Sequence, residues 1–207
     1  MARVHHPNFV TFIGANFDDG KLPFIVIEFM EANLRGTYEK RPLTRHQMIS
    51  IFKDVAYALH YLHSLKEPLI HRDLSSPNIL LNPLPGDRFL AKVSDFGSSN
   101  LEKFAITAAE GAPIYSAPES FQVLDASCPN PKQTVKMDTY SYGVLLCEVV
   151  NRRLPRDGDC WDKMLTVARQ WEQVYALIVE CTKSDPAQRP TMRDVINHLK
   201  YKVVLRL

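Results

Sequence analysis

Asp73, Asn78 and Asp95 are the three side chains whose types and spacing suit chemistry on phosphates. Asp73 stands five residues before Asn78, in a loop that bends at Pro77. Ile79-Leu80-Leu81 and Leu90-Ala91-Lys92-Val93 read as strands, and Asn82-Pro83-Leu84-Pro85-Gly86-Asp87 between them reads as a turn-rich link. A hairpin built this way returns Asp95 to the neighbourhood of Asn78. Two hard oxygen ligands side by side suit Mg²⁺, which keeps several waters and takes the rest of its shell from phosphates. Asp73 would then point at whatever lies in front of the metal. That arrangement fits phosphoryl transfer, with a carboxylate on the nucleophile and metal ions on the phosphates.

These three groups need a scaffold, and the sequence supplies its signals. Thr44-x-x-Gln47 is a capping box, and Met48, Ile51, Phe52, Val55, Leu59 and Leu62 recur at three- and four-residue steps behind it. A helix to Ser64 is expected, delivering the chain to His71. His60 and His63 lie three apart on it, too few ligands for a metal site. Upstream, His6-Pro7-Asn8 is a turn and residues 9–14 are a strand candidate. Phe24-Ile25-Val26-Ile27-Glu28-Phe29-Met30 is an apolar run readable as a buried strand. Downstream, Pro190-Thr191 starts a last helix with Val195, Ile196 and Leu199 on one face.

His71-Arg72-Asp73 with Asn78, then Asp95-Phe96-Gly97, then Ala117-Pro118-Glu119 resemble the catalytic loop, the metal loop and the end of the activation segment of a eukaryotic protein kinase. Cys181-x-x-x-Asp185-Pro186-x-x-Arg189-Pro190 resembles the closing segment of the tyrosine-kinase-like and tyrosine groups. The resemblance implies an α+β, protein-kinase-like fold: a mostly helical large lobe over residues 31–207 and, over residues 1–30, a remnant of the small β lobe with the end of the regulatory helix, two strands and the hinge. It implies ATP and Mg²⁺ as cofactors and a protein hydroxyl as acceptor. Asp73 would orient or deprotonate that hydroxyl, and Asn78 and Asp95 would hold Mg²⁺. The Glu28 carbonyl and the Met30 N–H would meet adenine above a floor made by Leu80, with Ile27 as gatekeeper. His71, Phe96 and Phe12 would pack in the regulatory spine, with Gly97 closing the metal loop. Arg72 would meet a phosphate on the activation segment, where Thr107 is the candidate phosphosite. Asp138 would hold the catalytic-loop backbone, and Glu119 would pair with Arg189.

The chain departs from the family pattern in three ways. Ser75 stands where Ser/Thr kinases carry a lysine, and Pro77 where tyrosine kinases carry an arginine. Losing such a cation costs a few kcal/mol of transition-state stabilisation. Ala112 likewise replaces the threonine that bonds the lysine–aspartate pair. No G-x-G-x-x-G occurs, so the glycine-rich loop and the strand lysine with its helix glutamate are missing. Met1 falls inside the family's regulatory helix, which points to an N-terminally truncated domain. Such a domain should expose Phe9, Phe12, Phe24 and Val26 on a marginal two-stranded sheet. The rival expectation is a catalytically silent kinase-like module that works by protein binding, with a partner over the small lobe.

Composition bounds the rest. With 207 residues and 45% hydrophobic content the chain can bury a core, and a net charge of +2 gives no case for nucleic acid. Lys200, Lys202 and Arg206 read as a solvated helix face. Cys128, Cys147, Cys160 and Cys181 are scattered without a CxxC pair, so reduced thiols and a cytoplasmic location are expected. No signal peptide and no membrane-length apolar run is present.

Overall fold

Thr44 begins the helix on which the molecule is assembled. Its hydroxyl accepts the Gln47 N–H at 3.2 Å while Gln47 Oε1 accepts the Thr44 N–H at 2.9 Å, which completes the capping box. The structure, a computed structural model, describes residues 4–16, 22, 24–95, 99–101, 113–121, 134–154 and 161–203. In chain order the strands and α-helices are β1 (Phe12–Asn16), β2 (Phe24–Ile27), β3 (Ala32–Asn33), α1 (Leu34–Lys40), α2 (Arg45–His63), β4 (Leu69–Ile70), β5 (Ile79–Leu84), β6 (Arg88–Val93), β7 (Asn100–Leu101), α3 (Lys136–Asn151), α4 (Trp161–Ala168), α5 (Glu172–Cys181) and α6 (Met192–His198).

The stripe expected on α2 is buried, with Met48 only partly so. Ile49, Ala56 and Ala58 are buried as well, because β6 and α6 pack on further sides of the helix. α3 is buried nearly all round and forms the second axis of the core. The Tyr142 hydroxyl donates to the Phe52 carbonyl at 2.9 Å, fastening α3 to α2. Gly143 lets α3 approach α5 closely: a β-carbon there would sit 2.7 Å from Cys181 Cβ and from Thr182 Cγ2. α6 starts at a second capping box, between Thr191 and Asp194, and buries Val195, Ile196 and Leu199 as expected.

The hairpin forms, but its strands run longer than expected. β5 continues through Pro83 to Leu84, opposite Arg88, and only residues 85–87 make the turn. Gly86 (φ 76) and Asp87 (φ 53) supply the positive dihedrals that so short a connection needs. β3 adds antiparallel to β5, giving a three-stranded sheet in the order β3-β5-β6.

Three expectations about the N-terminal strands fail. The strand is shifted to Phe12–Asn16, and Phe9 makes only a single bridge to Val93. Phe9 is not exposed but buried, packed with His6 and Tyr61 against the large core. β2 is not buried: Phe24, Ile25, Val26 and Ile27 are each 40–55% exposed. It pairs with β1 alone, and a two-stranded ribbon has nothing to cover its faces. Phe12 is half-buried.

Candidate active site

Asp138, fully buried near the start of α3, organises the loop that carries Asp73. Its Oδ2 accepts the His71 N–H at 2.9 Å and its Oδ1 accepts the Arg72 N–H at 3.0 Å. The backbone it holds is unusual, since Arg72 has φ 72. A left-handed conformation at a non-glycine residue costs about 1–3 kcal/mol and persists only where its surroundings fix it. Burial alone would raise the Asp138 pKa, but a hydrogen bond and charge from His63, then His71 and the Arg72 N–H, hold it below the usual carboxylate range.

Asp73 and Asn78 form one unit. Asn78 Nδ2 donates to the Asp73 carbonyl at 2.9 Å and to Asp73 Oδ2 at 3.0 Å. The Asn78 carbonyl in turn accepts the Ser94 N–H and the Ser94 hydroxyl, each at 2.9 Å. The next residue is Asp95, exposed and at φ 61, a second left-handed residue in the site. The hairpin thus brings the segment bearing Asp95 against Asn78. His71 is fully buried, with Nε2 3.0 Å from the Ser94 carbonyl, so it packs between the two segments; burial chiefly pushes its pKa down. Phe96, Gly97 and Thr107 lie outside the described residues, as does Ala112.

The donor set suits a divalent cation of the oxygen-loving kind. The Asn78 amide nitrogen is committed to Asp73, which leaves its amide oxygen as the atom that could face a cation. Two protein oxygens with phosphate and water making up the shell is the usual Mg²⁺ arrangement. Among the described residues no group of three or more His, Cys, Asp and Glu is placed to hold a metal ion.

The segment expected to meet adenine lies along the sheet. Glu31 N–H donates to Asn82 Oδ1 at 3.1 Å, which ties it to β5. The Glu28 carboxylate accepts from Lys92 Nζ at 2.6 Å and from the Thr11 N–H at 2.6 Å. Burial acts to raise its pKa, but the Lys92 and Thr11 hydrogen bonds outweigh this and hold it low. Lys92 is the cross-strand partner of Leu80, so Glu28 and half-buried Leu80 share one end of the sheet. Met30 is half-buried next to them.

Glu119 and Arg189 are joined by two parallel bonds, at 2.6 and 2.8 Å. Arg189 is 2% exposed, and its remaining donors reach the carbonyls of Lys136, Lys183 and Ser184. A buried guanidinium so completely bonded fixes geometry more than it adds stability.

The model of the protein kinase domain matches residues 1–200. The chain belongs to the protein kinase domain family. It is 31% identical over 232 residues to the dual specificity protein kinase splA of Dictyostelium discoideum, covering 97% of this chain and 9% of that protein. It is 30% identical over 221 residues to the serine/threonine-protein kinase CTR1 of Arabidopsis thaliana, covering 97% of this chain and 25% of that protein. The chain therefore spans a quarter or less of these two relatives. Protein kinase domains use ATP and Mg²⁺ in general and act on protein substrates. No helix among the described residues is long and apolar enough to cross a membrane.

Two features of this kinase domain escaped sequence reasoning. His63 is not solvated: its Nε2 lies 2.8 Å from Asp138 Oδ2. Glu148, fully buried on α3, gathers four side chains from three other parts of the chain. It accepts from Tyr38 at 2.6 Å, Ser76 at 2.6 Å, Arg35 at 3.3 Å and Tyr115. Ser76 belongs to the Asp73 loop, and Tyr115 precedes the Ala117-Pro118-Glu119 motif. Only the acidic residue within an otherwise apolar helical run hinted at this. Tyr115 is buried in the cluster; burial, then Glu148, pushes its pKa up.

Proposed function

We propose that this kinase domain transfers the γ-phosphate of ATP to Ser/Thr or Tyr hydroxyls of protein substrates in signalling. The observation that carries the reading is the Asn78 amide bridging the Asp73 carboxylate and carbonyl while the Asn78 carbonyl anchors the segment of Asp95. A rigid unit of this kind suits positioning, which supplies most of the catalysis in phosphoryl transfer. Asp73 orients the acceptor hydroxyl and takes its proton. Asn78 and Asp95 would hold Mg²⁺, which when bound neutralises charge on the transferring phosphates. Glu28 and Met30 backbone groups with Leu80 would seat adenine. Residues 1–30 belong to the small lobe and residues 31–207 to the large lobe. His71, Phe96 and Gly97 serve packing and closure, Arg72 reads a phosphate on the activation segment at Thr107, and Glu119, Arg189 and Asp138 keep the large lobe in register. Buried, unpaired thiols at Cys147 and Cys181 support a cytoplasmic setting.

A second reading, a silent module that binds a protein partner, is favoured by Ser75 and Pro77 in place of the family's cations and by the exposed faces of β2. Transfer from labelled ATP to Ser, Thr and Tyr peptides separates the two. The kinase reading expects measurable transfer that falls about 100-fold or more in Asp73→Asn, the loss typical of a general base. Nucleotide binding without transfer, equal in the two proteins, would establish the second.

A further inference from the structure

A cavity of about 330 Å³ opens between the end of α2, the start of α3 and the start of α6. His63, which contacts Asp138, forms part of its wall. His60, His63, Lys136 and Arg193 line it, four groups that are cationic or become so on protonation. Its lining, among the described residues, contains no carboxylate. Two acids lie beside it, and Asp194 faces Lys136 and Arg193, while Lys136 Nζ also donates to the Arg189 carbonyl. Asp138 is shared by His63 and the His71 and Arg72 N–H groups. Asp194 accepts the Thr191 N–H at 3.0 Å and the Thr191 hydroxyl at 2.6 Å.

Two further observations point to an anionic ligand. The cations crowd one another: after burial, Arg193 and His63 are what hold the His60 pKa down. An anion among them removes that repulsion. Thr139, 1% exposed and also in the lining, spends its hydroxyl on Met192 Sδ at 3.9 Å. A thioether is a weak acceptor, so an oxyanion would be the stronger partner. The volume is roughly ten times the ~30 Å³ that a water occupies in the liquid, room for a tetrahedral oxyanion with its substituent.

We propose that this cavity is a binding site for a phosphate monoester, free or carried on a phosphorylated side chain. Phosphate has the charge and the three acceptor oxygens to engage donors from three helices together. The site is separate from the nucleotide site and goes beyond the kinase reading, since binding needs no turnover.

The seven histidines give a built-in reporter. His ring resonances are followed by NMR while inorganic phosphate replaces chloride at constant ionic strength and pH, and again with a short phosphoserine peptide and its unphosphorylated form. The expected result is a saturable shift of His60 and His63 at millimolar ligand or below, with His5, His46 and His198 unmoved. Arg193→Ala, at an exposed position, should weaken binding roughly tenfold, as for loss of one charge-assisted contact. A peptide that binds more tightly than phosphate identifies a phosphoprotein as the source, and equal affinity identifies a small anion; both support the site. No saturable shift, parallel movement of all histidines, movement led by His71, or unchanged affinity in Arg193→Ala would overturn it.

Discussion

His63 Nε2 lies 2.8 Å from Asp138 Oδ2, and the same carboxylate holds the backbone N–H groups of His71 and Arg72. One buried acid thus ties α2 and α3 to the loop that carries Asp73. His63 acts through Asp138. His63→Ala removes one of that acid's partners and should cost about 1–3 kcal/mol of stability, read by urea unfolding. In a transfer assay kcat should fall more than KM, because the loop is mispositioned rather than lost. His63→Gln, which can still donate, should recover part of both. Equal kcat in His63→Ala and the parent protein would show that the loop keeps its place without this contact.

Acid should unfold the protein in two stages. His71 is buried neutral with its pKa pushed below the ordinary 6.5, and His6, His60 and His198 are shifted the same way. Below pH 6.5 the unfolded chain takes up protons that the folded chain refuses, so stability falls as pH falls. Asp138 is held below its ordinary 3.8, so its contribution is intact above that pH and is lost as pH drops through the folded-state value. Urea midpoints measured across the acid range should decline from about pH 6.5 and again below about pH 4. His71→Asn should shrink the first decline. A flat profile between neutrality and pH 4 would contradict the buried neutral histidine.

Tyr115 and Glu148 should be strongly coupled. Tyr115 donates to a carboxylate that has no solvent exposure and that also serves Tyr38, Ser76 and Arg35. Tyr115→Phe and Glu148→Gln should each destabilise by about 1–3 kcal/mol, with a coupling energy of about 0.5–3 kcal/mol in the double-mutant cycle. Additive losses would show that the two groups stabilise the fold independently. The same burial should keep Tyr115 from being phosphorylated in the folded domain, which phosphopeptide mapping can check.

The exposed faces of β1 and β2 should bind an apolar reporter dye. Phe24, Ile25 and Ile27 are 53%, 55% and 41% exposed, and β2 is apolar on both of its faces. Ile25→Thr and Phe24→Ser should lower dye fluorescence while changing stability by no more than about 0.5 kcal/mol, as surface substitutions usually do. A larger loss of stability would mean that these side chains are packed in solution.

Local signals were readable directly. The Thr44–Gln47 box fixed the start of α2, because a cap is a contact between residues three apart. The apolar runs and Pro-Gly turn produced the β5–β6 hairpin, and its return to Asn78 followed from strand pairing. The motifs around Asp73, Asn78, Asp95 and Glu119 pointed to the family that the comparisons show.

Burial and long-range partners were not readable in this way. Phe9 and Phe24 are the same residue type in similar apolar runs, yet one is 3% exposed and the other 53%. What separates them is whether a second surface arrives: α2 covers Phe9, and only β1 pairs with the strand of Phe24. His63 and Asp138 are 75 residues apart in sequence, and Glu148 meets Tyr38 across 110. Nothing in the sequence near either acid names its partners, because a buried carboxylate takes whichever donors the packed helices bring within reach. The sequence by itself determined the family, the starts of α2 and α6, and the hairpin. The tertiary structure alone decided which polar groups would be buried together, since that depends on surfaces brought together only after the local elements pack.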